Sequence, residues 1–135
     1  FGVRTVYADG KKEKIFEYPE KKGVIQKETS ETLRDLLKAV VSEGSGRNCK
    51  IEGFSIGGKT ATSEKLPRGN GKYISSFLGF SKAEDPTVMG IVLIDEPEGT
   101  YYGGTIAAPV MRSVFQVALP YLGISKDYTA EKENE

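Results

Sequence analysis

The stretch Gly57-Gly58-Lys59-Thr60-Ala61-Thr62 decides the fold assignment, because it combines an ammonium group, two hydroxyls and nearly bare backbone. Alternate side chains of a strand share a face, so Lys59, Ala61 and Ser63 should point one way while Thr60 and Thr62 point the other. Small residues such as Gly58 let a ligand approach the backbone, whose N–H groups can bind a carboxylate or an oxyanion. The stretch therefore predicts a strand that binds an anion. The alternative is a solvated edge strand, since threonine is common in strands.

The segments after this stretch predict an antiparallel sheet of at least three strands. Strands are expected over residues 51–65, 73–80 and 88–94, with turns at 66–71 and 83–86 where proline and glycine interrupt regular structure. Parallel pairing would need crossovers of about a dozen residues, and these connections are shorter. Residues 88–94 are apolar without alternation, which predicts a strand covered on both faces and central in the sheet.

One helix is predicted before the sheet, over residues 30–43. Thr29 or Ser30 can cap its start, and Gly44-Ser45-Gly46 can end it at positions where positive φ is cheap. Its apolar residues recur at helical spacing and should form one buried face: Leu33, Leu36, Leu37, Val40 and Val41.

A second helix is predicted after the sheet, beginning at Pro109, which suits a first turn, and carrying an apolar stripe that should cover one sheet face. Pro120 should bend its last turn or end it. The preceding residues 98–105 form a glycine- and tyrosine-rich loop, in which Tyr102 and Gly103 are expected to border a ligand. The predicted class is therefore α+β, an antiparallel sheet with one helix before it and one packed on it from the C-terminal side.

The two ends of the chain carry weaker signals. Asp9-Gly10 lies between alternating runs and predicts a hairpin over residues 1–18, although a flexible arm fits as well. Residues 126–135 are polar and charged and are expected to be a flexible linker after a single domain, residues 1–125. The chain opens on Phe1 without a signal-like segment, which suggests a piece of a longer protein.

The composition excludes several kinds of protein. Nineteen basic and nineteen acidic residues cancel in 135, so neither nucleic acid nor an anionic membrane is favoured as a partner. The chain has one cysteine, Cys49, and no histidine, which excludes Ser-His and Cys-His catalysis and most zinc sites. We therefore expect no metal and no cofactor. No apolar run approaches the roughly 18 residues of a membrane span.

A nucleotide-binding pattern is also present but is mechanically implausible. Residues 53–60 fit G-x-x-x-x-G-K-T, and residues 91–97 resemble a Walker B strand. A phosphate loop needs a long helix that begins at its Lys-Thr pair, whereas Pro67, Gly69 and Gly71 forbid one here. The chain also lacks the βαβ unit between the two motifs, so a P-loop protein is only a remote alternative.

An ordered set of short motifs resembles the C-terminal half of a penicillin-binding protein transpeptidase domain, with a partial β-lactamase-like fold. The chain is most similar to the class B enzymes, including sporulation-type proteins of Gram-positive bacteria. The motifs are Glu43-Gly44-Ser45-Gly46, Ile56 to Ser63, Tyr73 to Phe80, Tyr102-Gly103-Gly104 and Ala107-Ala108-Pro109-Val110.

The resemblance implies a serine D,D-transpeptidase that crosslinks peptidoglycan stem peptides, is acylated by β-lactams and acts on the extracytoplasmic side of a membrane to which it is anchored. Lys59 matches the family's lysine, which attracts the substrate carboxylate and supports proton transfer, and Thr60 matches the hydroxyl that binds that carboxylate. Thr62 matches the position whose N–H forms half of the oxyanion hole. The residues expected to border the substrate are Gly58, Ala61, Ser63, Tyr102 and Gly103, with Ala61 standing where the family usually has glycine.

The family's other two motifs, Ser-x-x-Lys and Ser-x-Asn, do not occur in the sequence. The fragment alone should therefore be inactive, and its first partner would be the N-terminal half of the domain. The strand at 88–94, which that half would pair with, could otherwise join two copies in a homodimer. The alternative from another class is a non-catalytic module that binds a cell-wall peptide or a division partner.

Overall fold

A computed structural model describes residues 2–6, 13–17, 19 and 21–127 of the chain. Strands β1 (Gly2–Val6) and β2 (Glu13–Glu17) form an antiparallel hairpin, as predicted, while the predicted turn at Asp9-Gly10 lies outside the described residues. The remaining elements follow in sequence order: α1 (Lys27–Ser42), a 3-10 turn (Arg47–Cys49), β3 (Ile56–Glu64), β4 (Tyr73–Ser81), β5 (Val88–Asp95) and α2 (Gly103–Tyr121).

The predicted α+β fold is confirmed: strands β3, β4 and β5 form an antiparallel sheet in that order, with the two helices beside it. Helix α2 covers one face. A Cβ atom built on Gly79 would lie 3.2 Å from the Met111 side chain, and one on Gly90, its partner in β5, would lie 3.0 Å from it. Glycine on these two strands therefore lets α2 approach closely, and Met111, Phe115 and Phe77 are buried between helix and sheet.

The opposite face is less completely covered. Helix α1 contacts β3, and its Leu33 and Leu37 line a groove with Phe80 and Met89. The prediction of one buried face on α1 holds only at its C-terminal end. Val41 is 2% exposed, whereas Leu33 is 46% exposed and Leu36 60%.

The prediction that residues 88–94 form a central, doubly covered strand is wrong. Strand β4 is central, and the outer edge of β5 pairs with no strand among the described residues. Side chains of β5 alternate: Val88, Val92 and Ile94 face the core, while Met89, Ile91 and Leu93 are more than half exposed. The apolar run reflects two apolar faces of the strand, of which this chain covers one.

Helix α1 begins three residues earlier than predicted, at Lys27. Gln26 is the N-cap residue, without a side-chain cap, and Thr29 and Ser30 lie inside the first turn. Glu28 in that turn is favourable at the positive end of the helix dipole. The predicted positive φ after the helix is also wrong, since Gly46 has φ −92°. Glycine suits this position because a side chain there would press on Phe77.

Helix α2 begins at Gly103 rather than Pro109, so residues 103–105 belong to the helix and not to the predicted loop. A pair of glycines is a poor helix start by propensity, but here tertiary contacts hold it. The N–H of Gly103 donates to Thr62 Oγ1 (3.1 Å), and Asn48 Nδ2 donates to the Gly104 carbonyl (2.8 Å). Pro120 lies in the last turn, and the helix ends one residue later, as predicted.

Strand β3 begins at Ile56, five residues later than predicted, because the chain turns at Gly53 with φ +79°. The segment after α2 folds back onto this turn. Asp127 donates its N–H to the Gly53 carbonyl (2.6 Å) and accepts from the Ser55 N–H (3.2 Å). The predicted division into a domain and a linker at 126–135 stays a prediction, since 128–135 lie outside the described residues.

Candidate functional site

A cavity of about 460 Å³ lies where the loop after α1, strand β3 and the start of α2 meet. Its wall mixes polar and apolar surface and includes the side-chain hydroxyls of the predicted anion strand. The lining residues that concern the site are Ser45, Arg47, Asn48, Thr60, Ala61, Thr62, Tyr102 and Gly103. The cavity thus joins the strand 56–64 to the tyrosine- and glycine-rich segment that the sequence analysis placed beside a ligand.

Two hydroxyls form the centre of this wall, and each has a defined partner. Thr60 Oγ1 lies 3.0 Å from Ser45 Oγ, and Thr62 Oγ1 accepts the N–H of Gly103 at 3.1 Å. Both threonines share the strand face that pairs with Phe77 and Ser75 of β4. Because Thr62 Oγ1 accepts that N–H, its own hydrogen remains available to a ligand, whereas in the Ser45–Thr60 pair either oxygen can be the donor.

Gly103 fits against β3 and β4 only because it has no side chain. A Cβ atom there would clash with the carbonyl oxygens of Ala61 and Ser76. The residue before the N-cap is tied to the sheet as well, because Ser75 Oγ donates to the Tyr101 carbonyl. The start of α2 is therefore fixed on the β3–β4 pair at the height of Thr62.

Tyr102 lines the cavity and belongs to a cluster of three tyrosines. The rings of Tyr73 and Tyr101 stack with centroids 4.0 Å apart, and Tyr102 leans on Tyr101 at 4.7 Å. A hydrogen bond with the Tyr101 side chain raises the pKa of the Tyr102 hydroxyl above its ordinary value. Tyr102 is 58% exposed.

Lys59 is exposed and is not among the residues that line the cavity. Its Nζ donates to the Thr60 carbonyl at 2.7 Å, so the side chain lies along the strand. The alternation predicted from sequence agrees with this arrangement, since Thr60 and Thr62 share one face and Lys59 and Ser63 occupy the alternate positions. Of the predicted site residues, the structure brings Thr60, Ala61, Thr62, Tyr102 and Gly103 together, and it leaves Gly58, Lys59 and Ser63 outside this cavity.

Gly58 has a packing role, and its expected place beside a ligand stays a prediction. A Cβ atom on Gly58 would lie 2.5 Å from the Phe77 ring and 2.7 Å from the Leu78 carbonyl oxygen. Gly57 is similarly covered by the Phe80 ring on the other face. These glycines make room for aromatic side chains of β4. Lys59 and Thr60 lie within a strand and start no helix, which also excludes the phosphate-loop interpretation.

Ser45, Arg47 and Asn48 are among the cavity residues that sequence reasoning did not single out for a site. Ser45 lies in the motif Glu43-Gly44-Ser45-Gly46, which the sequence analysis interprets as a helix end and a family motif, and Asn48 follows it by two residues. Cys49 beside them is fully buried, and burial raises the pKa of its thiol to about 12. That thiol is therefore protonated and unreactive at neutral pH.

Two further properties concern the described residues alone. Within ranges 2–6, 13–17, 19 and 21–127, no group of three His, Cys, Asp or Glu side chains is placed to hold a metal ion. In the same part of the chain, no helix has the length and apolar character needed to cross a membrane.

The chain belongs to the penicillin-binding protein transpeptidase family. Residues 3–116 match the family described as penicillin binding protein transpeptidase domain, which confirms the resemblance carried by the motifs on β3, β4 and α2.

Among its relatives, the chain is 44% identical over 108 residues to stage V sporulation protein D of Bacillus subtilis, covering 77% of this chain and 17% of that protein. It is 38% identical over 112 residues to the probable peptidoglycan D,D-transpeptidase PenA of Neisseria flavescens, covering 79% of this chain and 28% of that protein. The solved transpeptidase domain of Burkholderia pseudomallei penicillin-binding protein 3 superimposes with a TM-score of 0.65 and 30% identity, over 74% of this chain and 32% of that one. The chain thus spans less than a third of each of these relatives.

Proposed function

We propose that this chain is the carboxylate-binding part of a peptidoglycan D,D-transpeptidase, which crosslinks stem peptides and is acylated by β-lactams. The observation that carries the proposal is the pair of hydroxyls of Thr60 and Thr62, which share one cavity and each have a partner behind them. A stem peptide ends in a carboxylate and a penicillin carries one, so both ligands present the same anion. Homology to peptidoglycan D,D-transpeptidases supports the same assignment.

Within this proposal the predicted residues have separate roles. Thr60 and Thr62 donate hydrogen bonds to the carboxylate, and the N–H of Thr62 supplies half of the oxyanion hole. Lys59 contributes positive potential from the adjacent position and reaches the bound anion by leaving the Thr60 carbonyl, its partner in the structure. The residues that border the substrate are Gly58, Ala61, Ser63, Tyr102 and Gly103, and Gly58 also leaves room for the Phe77 ring.

The nucleophile must come from elsewhere, because no serine of the sequence starts a Ser-x-x-Lys motif. We expect the 135-residue chain to form no covalent adduct with labelled penicillin, and the full-length protein that carries it to gain the mass of one acyl group. An adduct on the short chain would contradict its inactivity. A full-length protein that gains no mass would favour a non-catalytic cell-wall-binding module instead.

The contribution of Lys59 is tested by Lys59→Ala in the full-length protein. A charge-assisted hydrogen bond is worth about 1.5–3 kcal/mol, so acylation should slow by roughly tenfold to a hundredfold. Thermal stability should change little, because Lys59 is exposed. Lys50→Ala, at another exposed lysine outside the cavity lining, is the matched control. Unchanged acylation in Lys59→Ala would make Lys59 a surface lysine without a role.

The location of the full-length protein follows from its substrate. Peptidoglycan lies outside the cytoplasmic membrane, so we propose that the protein works there, held by a membrane anchor outside residues 1–135. Alkaline carbonate extraction of a membrane fraction tests the anchor: an anchored protein stays with the pellet, and recovery in the supernatant would contradict it.

We also propose that the isolated chain pairs with a second copy through β5. The outer edge of β5 is unpaired among the described residues, and Met89, Ile91 and Leu93 beside it are exposed. Residues 88–94 of this strand contain no charge and no proline, and such an apolar edge is a template for another strand. Light scattering across a concentration series should show a dimer, and Ile91→Lys should weaken it. Val117→Lys, at an exposed position of α2, should leave the dimer unchanged. A monomer at every concentration would contradict this pairing.

A further inference from the structure

We propose that Ser45 is a positioning residue that turns the Thr60 hydroxyl into a donor for the substrate carboxylate; this inference rests on the proposed function. Ser45 lies in the loop after α1, outside the strand that carries the family's Lys-Thr motif. Its Oγ is 3.0 Å from Thr60 Oγ1, and both residues line the same cavity.

The argument starts from the proton count of a hydroxyl. Each threonine hydroxyl has one hydrogen to donate and two lone pairs that accept. A carboxylate only accepts, so Thr60 and Thr62 can bind it together only if both direct their hydrogens toward it. Whatever group lies behind each hydroxyl must then act as a donor.

Thr62 meets this condition through the backbone. Its Oγ1 accepts the N–H of Gly103, which can only donate, so the Thr62 hydrogen is free for the cavity. Thr60 has no such fixed donor. Its partner is Ser45 Oγ, and in this pair either oxygen can be the donor. Carboxylate binding therefore selects the arrangement in which Ser45 donates to Thr60 and Thr60 donates to the ligand.

This arrangement strengthens the contact as well as orienting it, because a hydroxyl that accepts one hydrogen bond is a better donor in the next. Ser45 thus does for Thr60 what the Gly103 amide does for Thr62. The two threonines form a matched pair of donors, one backed by a side chain and the other by the first amide of α2.

The loop that carries Ser45 is held in place from two directions. The N–H of Gly46 donates to the Val40 carbonyl at the end of α1 (2.9 Å), and Asn48 Nδ2 donates to the Gly104 carbonyl at the start of α2. Gly104 itself passes so close to the Ser45 carbonyl that a Cβ atom would clash with it. Ser45 is consequently fixed at the height of Thr60.

The test uses the full-length protein that carries this chain and two probes, benzylpenicillin and its carboxyl methyl ester. The ester keeps the reactive lactam and lacks the anion. We expect Ser45→Ala to slow acylation by benzylpenicillin about threefold to tenfold, the range for one neutral hydrogen bond, while acylation by the ester stays within about twofold of wild type. Ser45→Thr keeps a hydroxyl and should restore the preference for the acid.

The matched control is Ser113→Ala, which removes an exposed hydroxyl that bonds within α2 to the Pro109 carbonyl (3.1 Å) and should leave both rates unchanged. Thermal melting followed by circular dichroism confirms that the variants fold. Equal slowing with acid and ester would mean that Ser45 only supports packing, and an unchanged preference for the acid in Ser45→Ala would also overturn the proposal.

The Thr60→Val arm separates this inference from the proposed function. If Thr60→Val loses the preference for the acid and Ser45→Ala keeps it, the role of Ser45 is wrong and the carboxylate site stands. If Thr60→Val also keeps the preference, the carboxylate site itself is wrong. A wild-type protein that penicillin does not acylate would overturn both.

Discussion

Both faces of the sheet carry apolar side chains, but the face beside α2 is buried and the face beside α1 is largely exposed. On the α2 face, Met111 and Phe115 are each 2% exposed and rest against the glycines of β4 and β5. On the α1 face, Leu36 and Met89 are 60% and 68% exposed. Hydrophobic periodicity identifies which side of an element is apolar, but it does not say whether the same chain supplies the cover.

The uncovered face is consistent with the small share of its relatives' length that the chain spans. The chain spans 17% to 32% of the proteins with which we compared it, so most of their length has no counterpart here. A contiguous apolar surface on a soluble protein commonly marks a contact surface. The difference between the two faces thus separates the part of the core that this chain completes from the part that it does not.

The largest expected effect comes from the same substitution made on each face. Met111→Ala removes a buried side chain between α2 and the sheet and should cost about 2–5 kcal/mol in the free energy of unfolding. Met89→Ala removes an exposed side chain and should stay within about 0.5 kcal/mol. Urea denaturation of the two variants measures the contrast, and equal losses would show that the α1 face is covered after all.

An intermediate effect is expected from the two adjacent glycines that face opposite sides. Gly58→Ala would press on the Phe77 ring, which is fully buried beneath α2, and on the Leu78 carbonyl, which belongs to the backbone of β4. We expect neither group to shift easily, so the substitution should cost about 1–3 kcal/mol in the free energy of unfolding. The three atoms nearest to a Cβ on Gly57 all belong to the Phe80 ring, which lines the groove beside α1, and we expect this ring to shift toward that groove.

We therefore expect Gly57→Ala to be the milder of the two in urea denaturation. Both variants lose the same backbone freedom in the unfolded chain, so that contribution cancels in the comparison. If Gly57→Ala is the more destabilising, the groove beside α1 is too rigid to accept the displaced ring.

Sequence reasoning located every strand of the sheet and both helices, because turns and periodicity are local signals. It failed where tertiary contacts override local preference. Gly103 and Gly104 start α2 against their propensity since only glycine fits on the β3–β4 backbone. Residues 88–94 seemed central because an edge strand with two apolar faces has the same composition as a buried one.

The residues of the candidate site were predicted where the signal is local and were not predicted where it depends on tertiary contacts. Thr60 and Thr62 were found because alternation places them on one face, and Tyr102 and Gly103 because the family motif includes them. Ser45 was not predicted to line the cavity, because its partner Thr60 lies fifteen positions away and the path of the chain between them cannot be predicted from sequence. The packing role of Gly58 was also not predicted, because the ring that fills the space beside it, Phe77, lies on another strand.

The smallest expected effect concerns how α1 is held, since it buries little apolar surface toward its N-terminal end. Lys38 of α1 forms an ion pair with Glu84, in the turn between β4 and β5, and Ser55 Oγ donates to the same carboxylate at 2.9 Å. The hydrogen bond from Lys38 is the main cause that lowers the pKa of Glu84 below its ordinary value of 4.5. Polar contacts thus do on the α1 side part of what apolar burial does on the α2 side.

A carboxyl whose pKa is lower in the folded state binds fewer protons there than in the unfolded chain, so its stabilisation is present above pH 4.5 and is lost as the pH falls through the folded value. Because Glu84 is 59% exposed, the pair should contribute at most about 1 kcal/mol. Glu84→Gln should therefore lower the urea midpoint at pH 7, and the difference from wild type should shrink as the pH is lowered from 5 to 3. Glu98→Gln, at an exposed glutamate after β5, controls for the loss of one charge. A difference that is the same at every pH would assign the effect of Glu84→Gln to the shape of the turn and not to the ion pair that ties α1 to the sheet.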